Sequence, residues 1–389
     1  MSLTEADTCR KFVVPRVSGG VARPSGAGRF ADDGTRRSDR PRPTGLALAA
    51  LVFACVASGD AQQTPPGYTE QVEVARVLVD TRVVDGVGNP VLGLGADDFR
   101  VKIDGKPARV ESALWVGGTE PEVDWEPLAP SPVPGAAPPA PLGRLIVFLF
   151  QKDLGSEDSS RITGLMRMLA ESARFLETLT PDDRVAILSF DYHLKIWIDF
   201  TNDRERLRHV LERGILMERP PAVPQEGASI SLIERLDPEQ GRRTYRIEEA
   251  LRLIGEALEP LPGSKSVVLF GYGFGRLRFL SADVMMENGY SAARNALQSA
   301  RASVFSVDVT NADYHSLEGG LQLVAQETGG FFVKTNLFPQ QAIRRLAGAL
   351  AGSYVLFVEK PPTRQGTHRI DVQLTRRKGR VLARSGYTE

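Results

Sequence analysis

LTPDDRVAILSFDYHLKIWIDFTNDRERLRHVL, residues 179–211, holds two apolar runs of strand character, RVAILSF (184–190) and HLKIWIDF (193–200), separated only by Asp191-Tyr192. So short a connection can join only antiparallel neighbours, so the second run must fold back along the first. A helical pattern follows at 204–211.

Outward from this hairpin, strand runs alternate with helical patterns from residue 144 onward. The strand candidates are LIVFLF (145–150), KSVVLFG (265–271), SVFSVDV (303–309) and GFFVKT (330–335). Apolar residues at helical spacing mark 161–178, 247–258, 292–300 and 317–327. Such alternation predicts an α/β, Rossmann-like domain over 144–352. Its central sheet should be mostly parallel, with one antiparallel edge strand and helices on both faces.

Other segments flank this domain. Residues 70–118 alternate apolar and other side chains and contain an Asp104-Gly105 hairpin turn, so a small β module is expected there. A Pro- and Ala-rich spacer follows at 119–143, and 353–387 carries three alternating strands. Those terminal strands could clasp the β module or extend the main sheet.

Residues 1–61 read as a leader. Residues 1–43 are rich in Arg, Gly, Pro, Ser and Asp without apolar periodicity, and the apolar segment TGLALAALVFACVASGDAQQ (44–63) follows a basic run. This is the pattern of an export signal cleaved after Ala61. The alternatives are an uncleaved anchor or a lipoprotein site at Cys55. The true start codon could lie downstream of Met1. The only cysteines are Cys9 and Cys55, so the mature chain would have no disulfide, which fits a bacterial envelope.

Basic and acidic residues balance at 48 each, so no chain-wide field argues for nucleic acid or an anionic membrane. The four histidines are scattered and show no metal-ligand spacing. GYGFG (271–275) lacks the third glycine of a dinucleotide loop, and its glycines are expected to allow tight turning beside Tyr272 and Phe274. GSKS (263–266) lacks the upstream glycine of a phosphate loop. Ser189 sits at a strand end with no identifiable His partner.

The 179–211 stretch closely resembles the second strand, edge hairpin and following helix of von Willebrand factor type A domains, in particular the secreted group found in Acidobacteria. NPVLGLGADDFRVKIDGKPARVES (89–112) resembles that group's N-terminal module, and LQLVAQETGGFFVKTN (321–336) resembles its last helix and strand. SYVLFV (353–358) through RRKGRVLARSGY (376–387) resembles its terminal hairpin, so the resemblance covers roughly 72–387.

It implies a metal site at the carboxyl end of the sheet, built from hard oxygen ligands on three loops. This chain departs from the pattern at every one. The first Asp falls on Gln151, and the two serines fall on Asp153 and Gly155. The second loop falls on Tyr245 or, one residue earlier, Thr244, and the third on Gly271-Tyr272-Gly273. Lys152 would place a positive charge beside any cation. Only Asp153, with Glu157 and Asp158, could supply a displaced acidic set, and helix capping explains those residues more simply.

The expected site is therefore an interaction face formed by Gln151, Lys152, Asp153, Thr244, Tyr245, Tyr272, Phe274 and Arg276, rich in the residue types common at interfaces. The long connection 214–243 could cover it as a lid or recognition loop, or be a decorated loop with no partner.

The expected function is that of an exported, non-enzymatic module binding a protein partner in the cell envelope without metal or other cofactor. No nucleic acid partner and no membrane span in the mature chain are expected. The alternatives are a Mg- or Ca-dependent adhesion domain with displaced ligands around Asp153, and a hydrolase or nucleotide-binding protein on the same scaffold.

Overall fold

The computed structural model of the chain describes residues 76–117, 143–152, 159–221, 230–277, 284–310, 317–335, 338–362 and 364–389. The expected leader and export signal, nearly all of the 119–143 spacer, and Asp153, Glu157 and Asp158 lie outside the described residues.

In chain order, the first strands are β1 (Arg76–Val84), β2 (Phe99–Ile103), β3 (Lys106–Ala108) and β4 (Val110–Gly117). Next come β5 (Leu145–Gln151), α1 (Ser159–Phe175), β6 (Arg184–Phe190), β7 (Leu194–Thr201), α2 (Arg204–His209), α3 (Ile215–Met217) and α4 (Pro238–Arg242). They are followed by α5 (Ile247–Leu258), β8 (Lys265–Gly271), β9 (Arg276–Leu277), β10 (Val284–Met285), α6 (Tyr290–Ser299), β11 (Ala302–Asp308), α7 (Glu318–Thr328), β12 (Phe332–Lys334) and α8 (Pro339–Leu350). The chain closes with β13 (Gly352–Glu359), β14 (Thr367–Leu374), β15 (Arg380–Ala383) and β16 (Gly386–Thr388).

Six strands form the central sheet in the order β12-β11-β8-β5-β6-β7. All pair in parallel except β7, which runs antiparallel to β6 as the short connection demands. The loop is one residue longer than expected: Phe190 pairs with Leu194, and Tyr192 between them takes a left-handed φ of 76°.

β5 is apolar through Phe150 because both its faces are covered. Leu145, Val147 and Leu149 enter a core shared with α5, α6 and α7, while Ile146, Phe148 and Phe150 enter one shared with α1, α2 and α8. Phe150 stacks on Phe270 at 4.6 Å, and Phe148 meets both edge-on. Each buried side chain of this size contributes about 2 kcal/mol.

The terminal strands pair with the N-terminal ones. β13 lies between β1 and β4, β15 pairs with the other side of β1, and β14 lies between β2 and β16. Asp104 and Gly105 both adopt positive φ in the β2–β3 hairpin, as their sequence leads one to expect. Three arginines join these strands to the α/β layers at the end of the sheet opposite the strands' carboxyl termini. Arg82 donates to Ser303 Oγ at 2.7 Å and Ser266 Oγ at 3.2 Å, Arg301 pairs with Asp80 through two hydrogen bonds, and Arg384 donates to the carbonyls of Gln298 and Leu78.

The described parts of the 214–243 connection are folded. The α2 helix continues through a π turn at Val210–Gly214 into α3, and Asp237 caps α4 ahead of Pro238. Leu232 and Leu236 are buried. Beneath them Asp199 of β7 accepts from Ser231 Oγ at 2.6 Å and from the Leu232 amide at 2.8 Å. This half of the connection thus covers the edge strand β7. Asp199→Ala leaves those donors unpaired, and urea unfolding is expected to show a loss of about 2 kcal/mol. A loss below about 0.5 kcal/mol would mean that Asp199 does not anchor the segment.

Candidate functional site

The carboxyl ends of β5, β6 and β8, the hairpin tip 191–193 and the first turn of α5 surround a cavity of about 270 Å³. Open α/β sheets bind ligands at this end because the loops there diverge and leave backbone and side-chain groups facing a crevice.

Gln151 ends β5 and is buried. Its side-chain amide donates from Nε2 to the Gly273 carbonyl at 3.0 Å, and its Oε1 accepts from the Tyr272 amide at 3.2 Å. One neutral amide therefore serves as donor and acceptor and holds the loop after β8 in place. Glycine is required where that loop turns: Gly273 has φ of 111°, and a Cβ there would lie 2.5 Å from the carbonyl oxygen and Cβ of Leu317. Gly273 and Gly275 of GYGFG thus take the turning role expected of them, whereas Gly271 is the last residue of β8.

Lys152 does not present a charge to the site. Its side chain is buried, Nζ donates to the Ile215 carbonyl at 2.6 Å, and the ammonium lies 5.5 Å from the centre of the Trp197 ring. Burial pulls its pKa below the usual lysine value, with Asp191 partly opposing. Ser189 is buried beside it and accepts from Trp197 Nε1 at 2.8 Å, a structural bond.

Thr244 also departs from the expected face. It is buried, and its hydroxyl donates to the Gln240 carbonyl at 2.7 Å, closing the end of α4. The next residue, Tyr245, is 67% exposed and stands edge-on to His193 at 5.5 Å. Tyr272 is partly buried against the sheet core, with the Arg161 guanidinium 4.4 Å from its ring centre. Phe274 is buried and forms part of the cavity wall. Arg276 opens β9 opposite Met285, and Asp153 lies outside the described residues.

The cavity therefore gathers Gln151, Lys152, Tyr245, Tyr272 and Phe274 from the expected set, of which Tyr245 alone is widely exposed. It adds residues that the sequence did not single out: Tyr192 (74% exposed), Glu248 and Glu287. Arg246 pairs with Glu287 at 3.1 Å at the rim. Glu248, in the first turn of α5, is only 3% exposed, and burial pushes its carboxyl above the usual range; Glu287 adds to that shift and Arg246 opposes it.

Among the described residues, no group of three or more His, Cys, Asp or Glu side chains is arranged to hold a metal ion. Gln151 also bonds the loop after β8 through both its amide atoms. A neutral carboxamide whose oxygen already accepts from the Tyr272 amide is a poorer cation ligand than a free carboxylate.

No family model and no curated protein sequence matches the chain. Among solved structures, it is similar to an aerotolerance-related membrane protein from Bacteroides fragilis at 14% identity, over 53% of this chain and 98% of that one, with TM-score 0.35. It is similar to the vWF domain of the type V pili tip protein Mfa5 from Porphyromonas gingivalis at 12% identity, over 53% and 94%, with TM-score 0.33. It is also similar to a von Willebrand factor type A protein from Catenulispora acidiphila at 11% identity, over 76% and 73%, with TM-score 0.35. The chain's own sheet, parallel but for one antiparallel edge strand and covered by helices on both faces, has the von Willebrand factor type A architecture implied by the sequence resemblance.

Proposed function

We propose that this chain is an exported, non-enzymatic interaction module that binds a protein partner of the cell envelope through the carboxyl end of its central sheet, without a bridging metal. The observation that carries this reading is the pair of exposed tyrosines, Tyr192 and Tyr245, standing at the rim of a cavity where the fold places its ligands. Tyrosine buries a large area at small entropic cost and keeps a polar tip, which suits a contact surface. Metal independence is supported by the commitment of Gln151 to the Tyr272–Gly273 loop. Export is supported by the apolar segment 44–63. Among the described residues, no helix is long and apolar enough to cross a membrane.

The test is crosslinking in the native host, followed by identification of the captured partner. The Tyr192→Ala/Tyr245→Ala double variant should lower the yield about tenfold, the scale of a lost contact hot spot. Its melting temperature should match that of the wild type, because both side chains are exposed. Chelation should leave the yield unchanged. Loss on chelation with recovery in Mg²⁺ or Ca²⁺ would favour the metal-dependent alternative around Asp153, and an unchanged yield in the double variant would discard the face.

A further inference from the structure

We propose that the cavity beside α5 receives a cationic side chain of the partner, a primary ammonium or guanidinium, through the Glu248 carboxylate. This rests on the reading of this edge as the binding face and specifies the chemistry it recognises.

Glu248 is the observation that the fold leaves unexplained. Its Oε1 is shut off from solvent and has no hydrogen-bond partner, and the side chain forms part of the cavity wall. An acidic residue in a helix's first turn usually lies at the surface near the free amides, where the dipole favours it. Glu248 bonds only its own backbone amide and is buried instead. A buried carboxylate with an unfilled acceptor is costly, and one that lines a cleft is a candidate for completion by a ligand.

The nearby cations are engaged elsewhere. Lys152 Nζ is bound to the Ile215 carbonyl, Arg246 is paired with Glu287, and the Arg161 guanidinium lies over Tyr272. What remains around Glu248 is aromatic: Tyr245 and Tyr192 at the rim and Phe274 in the wall. A carboxylate behind aromatic rings is the arrangement that recognises ammonium and guanidinium groups, through charge and through the negative ring faces. At about 270 Å³, the space falls below the range for drug-sized ligands and suits one side chain. A partner carboxylate would face the Glu248 charge, with Lys152 and Arg246 already engaged. The polarity is thus opposite to that of a metal-bridged site, which presents positive charge.

The test titrates the full chain with n-butylammonium and with a capped Gly-Lys-Gly peptide, against 1-butanol and capped Gly-norleucine-Gly as neutral equivalents. Amide NMR shifts at Tyr245 and Ile247 report binding. Both amines should give saturable shifts, the peptide binding more tightly, and the neutral compounds should not. Glu248→Gln keeps the shape and removes the charge, so affinity for the amines should fall at least about tenfold, near 1.4 kcal/mol. Because the raised carboxyl pKa means that the fold disfavours the ionised form, this variant should melt no lower than wild type at neutral pH.

Equal shifts from 1-butanol, or amine binding retained in Glu248→Gln, would overturn the proposal. Butylammonium binding as tightly as the peptide would overturn the assignment to a partner's side chain in favour of a small amine. Crosslinking lost in the tyrosine double variant but kept in Glu248→Gln would remove the cation assignment and leave the face standing. Crosslinking kept in both would remove the face itself.

Discussion

Arg82→Ala is expected to lower the unfolding free energy by about 3 kcal/mol, whereas Arg82→Met should stay within about 1 kcal/mol of wild type. Arg82 is 4% exposed, and it reaches from β1 into the start of the central sheet, touching Ser266 of β8 and Ser303 of β11. Its guanidinium lies 5.2 Å from the centre of the Phe305 ring, and its Nε has no hydrogen-bond partner. Burial pulls its pKa down to about 10, with Asp80 partly opposing, so the group stays charged at neutral pH at a desolvation cost. Alanine removes the long stem as well as the charge, leaving a cavity and two hydroxyls without their donor. Methionine keeps most of the stem and removes the costly charge, which offsets the lost bonds. Urea unfolding with unchanged slope measures both. A loss below about 1 kcal/mol in the alanine variant would mean that Arg82 does not hold β1 to the sheet. Equal losses in both variants would place its worth in the hydrogen bonds rather than the packing.

The central sheet was legible because its strands obey local rules. LIVFLF, RVAILSF, KSVVLFG and SVFSVDV are apolar runs bounded by turns, and β5, β6, β8 and β11 coincide with them to within a residue or so. The helix at 247–258 coincides with α5. α8 was missed although Ala342, Ile343, Leu346, Ala349 and Leu350, its buried residues, stand at helical spacing after Pro339. β9 and β10 are two residues each, too short for any periodicity to show.

The site was less legible, because strand ends do not reveal where the next side chain turns. Gln151 and Lys152 are consecutive, and the first turns to the loop after β8 while the second turns to the backbone of α3. Both partners lie far away in sequence, 122 and 63 residues on, so no local pattern could indicate them. Tyr245 and Thr244 likewise part company, one into solvent and one into the end of α4. Glu248 carries the ordinary composition of a helix start, and only its burial sets it apart. Tyr192 stood in plain view as a turn residue, and its left-handed backbone places it at the exposed tip.

Gln151→Glu should remove about 2 kcal/mol of stability at pH 7 and little at pH 4, a pH dependence that tests whether the neutral amide holds the loop after β8. Gln151 Oε1 accepts from the Tyr272 amide and Nε2 donates to the Gly273 carbonyl. A glutamate keeps the first bond, but its second oxygen would face the carbonyl, acceptor against acceptor. The site can tolerate the carboxyl only in its protonated form, which can donate to Gly273, so the folded state raises the introduced group's pKa. For an acid with a raised folded pKa, the penalty is absent below the unfolded value near 4.3, grows as pH rises between the two values, and is complete above the folded one. The difference in unfolding free energy between variant and wild type, measured in urea at pH 4 and pH 7, should therefore widen with pH. The loop should loosen with it, since Gly273 is conformationally free and the two Gln151 bonds are what fix its carbonyl and the Tyr272 amide. A penalty independent of pH would mean that the introduced side chain escapes to solvent. No penalty at all would mean that the Gln151 amide does not hold the loop after β8.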